Sequence, residues 1–165
     1  MNAPKVFPDL VTVKVCDKQS QLPVCPLVVG LTIRVPRKNN YGIGPKITDE
    51  LGVAFFTSEE IAREIELHKR VFLMDYSCDL SDAVGVEASV ADGPQIQRMI
   101  EYSREWGGIV PEWRLSDETI EQLRNSVNND FESCNVCVEI EALRRNPRID
   151  IRVNRAGAGT TPAGM

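Results

Sequence analysis

The sequence predicts a mainly β fold, an antiparallel β-sandwich carrying about three α-helices. Three observations lead there. Apolar residues alternate with polar ones in short runs that recur along the chain, which is the period of a half-buried strand. Polar turn segments separate these runs. Helical spacing of apolar residues is confined to three stretches, about 57–69, 93–106 and 117–132, which read as insertions at one end or edge of the sheets. Residues 1–153 form one domain on this reading. Residues 154–165, rich in Gly, Ala, Thr and Pro, are expected to be a flexible tail.

Each element follows from its residues. In VTVKVCD, Val11, Val13 and Val15 alternate with Thr12, Lys14 and Cys16, giving the first strand. After the polar turn region 17–23, LVVGLTIRV puts Leu27, Val29, Leu31, Ile33 and Val35 on one face of a second strand. Pro36 and the polar RKNNYGIGP stretch end it as a loop. Ile47 begins a third strand. Asp49 and Gly52 stand at the first and fourth positions of a type I turn, making a hairpin in which Val53 and Phe55 share one face of the return strand. Thr57 with Glu60 is a capping box, so a helix starts at once, with Ile61, Ile65 and His68 on one side.

VFLMDYS and AVGVEASV read as two further strands. Asp92 caps the next helix, Pro94 lies in its first turn, and Ile96, Met99, Ile100 and Ser103 form its buried side until Gly107 and Gly108 stop it. A third helix begins at Ser116, with Ile120, Leu123, Val127 and Phe131 as its stripe. NVCVEIEAL and RIDIRV then alternate cleanly as the last strands. No Gly-rich strand-to-helix turn marks a nucleotide-binding α/β fold.

The first third of the chain resembles the carboxypeptidase regulatory-like, or transthyretin-like (prealbumin-like), β-sandwich family. The resemblance covers roughly residues 9–56. It rests on VTVKVCD ending in Asp17, on Pro23 with Val24 before the second strand, and on Thr48, Asp49 and Gly52 before an apolar strand. It implies an Ig-like sandwich and an accessory, binding or structural role. The enzymatic relatives on similar sandwiches, transthyretin-like hydrolases and intradiol ring-cleaving dioxygenases, use several histidines, and this chain has only His68. The chain also lacks the family's Gly in the first turn (QSQLP) and carries helices where the family continues into strands.

Composition narrows the function. The 165 residues are 42% hydrophobic, enough for a core without metal or disulfide. A net charge of −5 disfavours a general nucleic-acid binder. No apolar run approaches the roughly 18 residues of a membrane span. The N-terminus lacks the apolar region of a secretory signal, so a cytoplasmic location, or a particle assembled inside a cell, is expected. Five cysteines, an odd number, fit reduced thiols.

Several groups could carry chemistry. Cys134 and Cys137 have the spacing of a redox or metal pair, but they precede a strand rather than a helix, so ordinary thiols are expected. His68 could be a general base, although its place beside Ile61 and Ile65 suits a packing histidine. Asp75, Asp79 and Asp82 could ligate calcium, or simply form a turn. Tyr102, Trp106 and Trp113 could stack on a sugar or anchor a partner if exposed, or pack the helices onto the sheet if buried. Arg144, Arg145, Arg148, Arg152 and Arg155 concentrate positive charge that an anionic partner could meet, or form a solvated face.

The expected function is therefore a non-catalytic protein-interaction or structural module, part of a larger assembly or self-associating, with no catalytic residues, metal or cofactor. Its partner-binding residues would be Tyr102, Trp106, Trp113, Arg144, Arg145 and Arg148. The alternative is a carbohydrate- or small-ligand-binding module using Tyr102, Trp106 and Trp113. A small enzyme is a third class, and it would need a polar pocket joining His68 to a carboxylate or a cysteine.

Overall fold

Alternation decides which side chains face inward, and among the described residues seven strands form two sheets. The computed structural model describes residues 7–36, 40–72 and 79–157. Strands β1 (Leu10–Asp17), β4 (Val53–Thr57) and β7 (Arg148–Val153) form a three-stranded sheet in the order β4-β1-β7. Strands β2 (Val28–Arg34), β3 (Tyr41–Ile47), β5 (Gly85–Val90) and β6 (Cys134–Glu139) form a four-stranded sheet in the order β3-β2-β5-β6. All neighbours are antiparallel except β1 and β7, which run parallel, with Val13 opposite Ile149 and Val15 opposite Ile151.

The two sheets share one hydrophobic cluster. Val11, Val13, Val15, Phe56, Ile149 and Ile151 come from the smaller sheet; Val29, Leu31, Ile33, Tyr41, Val86 and Ala88 come from the larger. Each large aliphatic side chain removed from water in this way contributes about 1.5–3 kcal/mol. Residues Leu27, Val29, Leu31, Ile33 and Val35 are all buried, as their alternation predicts.

Among the described residues four α-helices join the strands: α1 (Ser58–Phe72), α2 (Gly93–Trp106), α3 (Asp117–Arg124) and α4 (Ile140–Arg145). The predicted starts hold. Glu60 N donates to Thr57 Oγ1 at 3.1 Å while Thr57 N donates to Glu60 Oε1 at 2.7 Å. Asp92 and Gln95 form the same reciprocal pair, both at 2.8 Å. Ser116 Oγ accepts from Thr119 N at 3.1 Å.

Several expectations need correction. Among the described residues helices make up 36% and strands 34%, so these are mixed rather than mainly β, and the α-helices there number four. The supposed loop after Pro36 contains β3, because Tyr41 and Ile43 are buried and alternate with Gly42 and Gly44; Ile47 ends that strand instead of starting one. The Asp49–Gly52 turn is not a hairpin, since β3 and β4 lie in different sheets, and Val53 and Phe55 share the outer face while Ala54 and Phe56 enter the core. In VFLMDYS, Val71 and Phe72 extend α1, and 73–78 lie outside the described residues, with Asp75 and Cys78 among them. The third predicted helix stops at Arg124: Val127 precedes a 3-10 turn at Asn128–Asp130, and Phe131 packs into the sheet core beyond it. In the same way NVCVEIEAL changes from strand to helix at Ile140.

The turn motifs shared with the resemblance have structural work to do. Thr48 is buried; its Oγ1 accepts from Leu27 N at 3.0 Å and donates to Val24 O at 2.7 Å. Asp49 Oδ1 accepts from Leu51 N and Val53 N at 2.9 and 3.0 Å. Gly52 has φ of +73°, and a Cβ there would come within 2.5 Å of Val15 O, so both conformation and crowding call for glycine. At the other end, Asp17 accepts from Gln19 N and Ser20 N, at 2.9 and 3.3 Å, and from Arg155 Nε at 3.1 Å. Asn154–Gly157 is thereby held to the body, with Ala156 N donating to Asp130 O at 2.8 Å.

Helices α2 and α3 pack on the larger sheet through a second cluster of Val28, Ala91, Ile96, Ile100, Ile120 and Leu123. Asn128 fixes this arrangement. Its Oδ1 accepts from Val28 N at 2.7 Å, and its Nδ2 donates to Val28 O at 3.0 Å and Ala91 O at 2.6 Å. Replacing Asn128 by Ala removes the side-chain partner of Val28 N and of Ala91 O, while Val28 O keeps Ala91 N at 3.4 Å, and unfolding by urea should show a loss of about 3 kcal/mol. Asn128→Asp should be worse than Asn128→Ala, because a carboxylate oxygen would then face two carbonyl oxygens.

Candidate functional site

The helices do not lie flat on the four-stranded sheet. They leave a cleft of about 560 Å3 over the outer face of β2, β3 and β5. That volume suits a small molecule. Its floor is low because the outward positions there are small: Gly30 and Thr32 on β2, Gly42 and Gly44 on β3, and Ser89 on β5. Gly30 pairs with Ser89, and Thr32 with Gly42, so these residues adjoin across the sheet.

Two helices wall the cleft through helical spacing. Glu64 and His68, four apart on α1, form one side. Gln95, Arg98, Met99 and Tyr102, spaced three, one and three apart on α2, form the other. The 3-10 turn Pro111–Trp113 brings Glu112 and Trp113 to the same cleft.

The aromatic residues form a connected group. Ring centroids are 5.2 Å apart for His68 and Trp113, 5.9 Å for Tyr102 and Trp113, and 6.0 Å for Trp106 and Trp113. Tyr41 supports His68 from the core at 6.0 Å. Tyr102 is 40% exposed and presents a face to solvent. Trp113 is half-buried and lines the cleft; Trp106, also half-buried, is not among the lining residues.

Glu64 ties α1 to the 3-10 turn. Its Oε1 accepts from Trp113 Nε1 at 2.6 Å. Burial pushes the carboxyl up from its ordinary value; His68 and the Trp113 hydrogen bond pull against that, and Glu112 adds to it. His68 Nδ1 lies 2.9 Å from Glu64 O. A carbonyl oxygen only accepts, so Nδ1 carries the hydrogen, and in the neutral ring Nε2 is the acceptor nitrogen. Burial and the Glu64 charge raise the Tyr102 phenol, which stays a donor. His68 is half-buried and lines the cleft together with the Glu64 and Glu112 carboxylates.

Other sequence candidates are dispersed. Cys134 and Cys137 are three apart on β6, so they point to opposite faces: Cys134 half-buried toward the core, Cys137 exposed. Burial raises the Cys134 thiol, and burial together with Glu87 raises Cys137, the reverse of what a reactive thiolate needs. Among the described residues no group of three or more His, Cys, Asp or Glu is placed to hold a metal ion. Asp79 and Asp82 cap a short 3-10 turn, and Asp79 pairs with Lys69. The arginines divide between elements. Arg144 pairs with Glu141 at 2.9 Å, Arg148 with Asp150 at 2.9 Å and Arg155 with Asp17 at 3.1 Å, while Arg145 Nε donates to Glu141 O at 3.4 Å. None of them lines the cleft.

Sequence reasoning found Tyr102, Trp113 and His68 but missed Glu64, Gln95, Arg98, Glu112 and the glycines. Two signals were present. Glu64 lies one turn before His68, and Gln95, Arg98 and Tyr102 share a helix side. No helix among the described residues is long and apolar enough to cross a membrane. Comparison with family models, with curated proteins and with solved structures gives no match.

Because its folded carboxyl is raised, Glu64 favours folding below the ordinary carboxylate range, and that contribution is lost as pH rises through the folded value. Glu64→Gln keeps an acceptor for Trp113 Nε1 and removes the buried charge. Thermal unfolding should show the variant gaining stability over the wild type at pH 7 and losing that advantage at pH 4.

Proposed function

We propose that this chain is a non-catalytic ligand-binding module, built on a transthyretin-like β-sandwich, whose cleft takes a small, polar, ring-shaped molecule such as a sugar. The fold part of this reading is supported by the two sheets facing one core and by the Thr48, Asp49 and Gly52 devices at the turn between them. The ligand part rests on Gly42. A Cβ built there meets nothing within 4 Å, and its backbone is not left-handed, so packing and conformation leave the residue free to be larger. What a side chain at Gly42 would fill is the cleft. Flat floor, aromatic Tyr102 and Trp113, and convergent polar groups are the features of a small-molecule site.

A second reading, a protein-interaction module, draws on the outer face of the smaller sheet. Phe55 there is 47% exposed and Leu10 40%, on neighbouring strands. Sedimentation velocity tests it for self-association: a concentration-dependent dimer that Phe55→Lys dissolves would favour this reading over the first.

The test of the ligand site is a steric plug. Gly42→Leu should fold with unchanged circular dichroism and melting temperature. Saturation-transfer NMR with a panel of monosaccharides and six-membered-ring fragments should give hits on the wild type that vanish in the variant. Hits that survive the plug, or a panel without hits, would sink the proposal.

A further inference from the structure

We infer that the ligand of this cleft carries a carboxylate, bound by Arg98 on the α2 wall; this rests on the reading of the cleft as a ligand site. The polar groups of the cleft are sorted by side. Acceptors lie on α1 and the 3-10 turn, where Glu64 is engaged by Trp113 Nε1 and Glu112 faces Arg70 at 3.7 Å. Donors lie on α2 and the floor. Arg98 is the only Lys or Arg among the described lining residues, it is exposed, and no described residue pairs with it. One turn away on either side stand Gln95 and Tyr102. Gln95 spends its Oε1 on Asp92 N, which turns the use of that side chain toward its amide donors. The Tyr102 phenol is held in its protonated form. Below them, the Ser89 and Thr32 hydroxyls border the glycine floor.

This wall therefore offers donors in a row and no competing carboxylate. A guanidinium flanked by an amide and a phenol suits a planar, two-oxygen acceptor, which Arg binds bidentately. The opposite wall carries Glu64 and Glu112, so an anionic group is directed to α2 by repulsion as well as attraction. With the acid at Arg98, the body of the ligand lies over Gly30 and Gly42, against Tyr102 and Trp113. The shared chemistry is a six-membered ring bearing a carboxylate, and an acidic sugar and an aromatic acid both have it.

Calorimetric titrations with glucuronate and benzoate, each beside its neutral counterpart, glucose or benzamide, test the inference. At least one acid should bind the wild type at least tenfold more tightly than its neutral partner. Arg98→Gln, which breaks no hydrogen bond or ion pair among the described residues, should abolish that difference, and Gly42→Leu should abolish binding altogether. Which acid binds separates the two sources. Neutral ligands binding as well as the acids, or an acid preference that survives Arg98→Gln, would overturn the carboxylate while leaving the cleft standing if Gly42→Leu still blocks. Acid binding untouched by Gly42→Leu would overturn the site itself, and absence of binding by all four probes would overturn the inference.

Discussion

The cleft exists because a single amide fastens the helical insertion to the end of a sheet. Asn128 bonds both backbone groups of Val28 and the carbonyl of Ala91. It thus acts as a short piece of strand between the start of β2 and the end of β5. Buried polar groups in that position have no water to fall back on, so the geometry is held to one solution. Val127 N reinforces it by donating to Pro26 O at 2.8 Å. The second apolar cluster fills only the end near Val28 and Ile100, and the remainder of the sheet's outer face stays open.

Small residues keep that opening usable. A β-sheet face covered by helices normally projects large apolar side chains into the gap. Here Gly30, Gly42, Gly44, Thr32 and Ser89 leave the gap shallow and polar, while the opposite face of the same strands supplies Leu31, Ile33, Ile43 and Val86 to the main core. The strands therefore serve two requirements by alternation, one face for stability and one for access. Glu64 and Trp113 join α1 to the turn after α2 with a hydrogen bond of 2.6 Å, which fixes the side of the cleft that faces α2.

Local chemistry was largely legible. Capping boxes at Thr57 and Asp92 and the cap at Ser116 mark helix starts through hydrogen bonds between near neighbours, and such bonds form wherever the fold places them. The buried alternation of Val11, Val13 and Val15, and of Leu27 to Val35, was equally plain. Helix and strand ends were harder. Val127 and Phe131 continue the apolar spacing of α3 but belong to other packing, and β3 was hidden because glycines and a proline disguise a strand whose buried residues are only Tyr41 and Ile43.

By itself the sequence determined the buried faces of β1 and β2, the helix starts at Thr57, Asp92 and Ser116, the single histidine and the aromatic group at residues 102–113. These depend on periodicity and on bonds spanning a few residues. Only the tertiary structure decided which strands share a sheet, that β1 runs parallel to β7, that Cys134 and Cys137 face apart, and that Gly42, Arg98 and Glu64 border one cleft. Residues 42, 64 and 98 sit on three separate elements. Their meeting is set by how two sheets and two helices bury their apolar faces, a long-range outcome that no local pattern encodes.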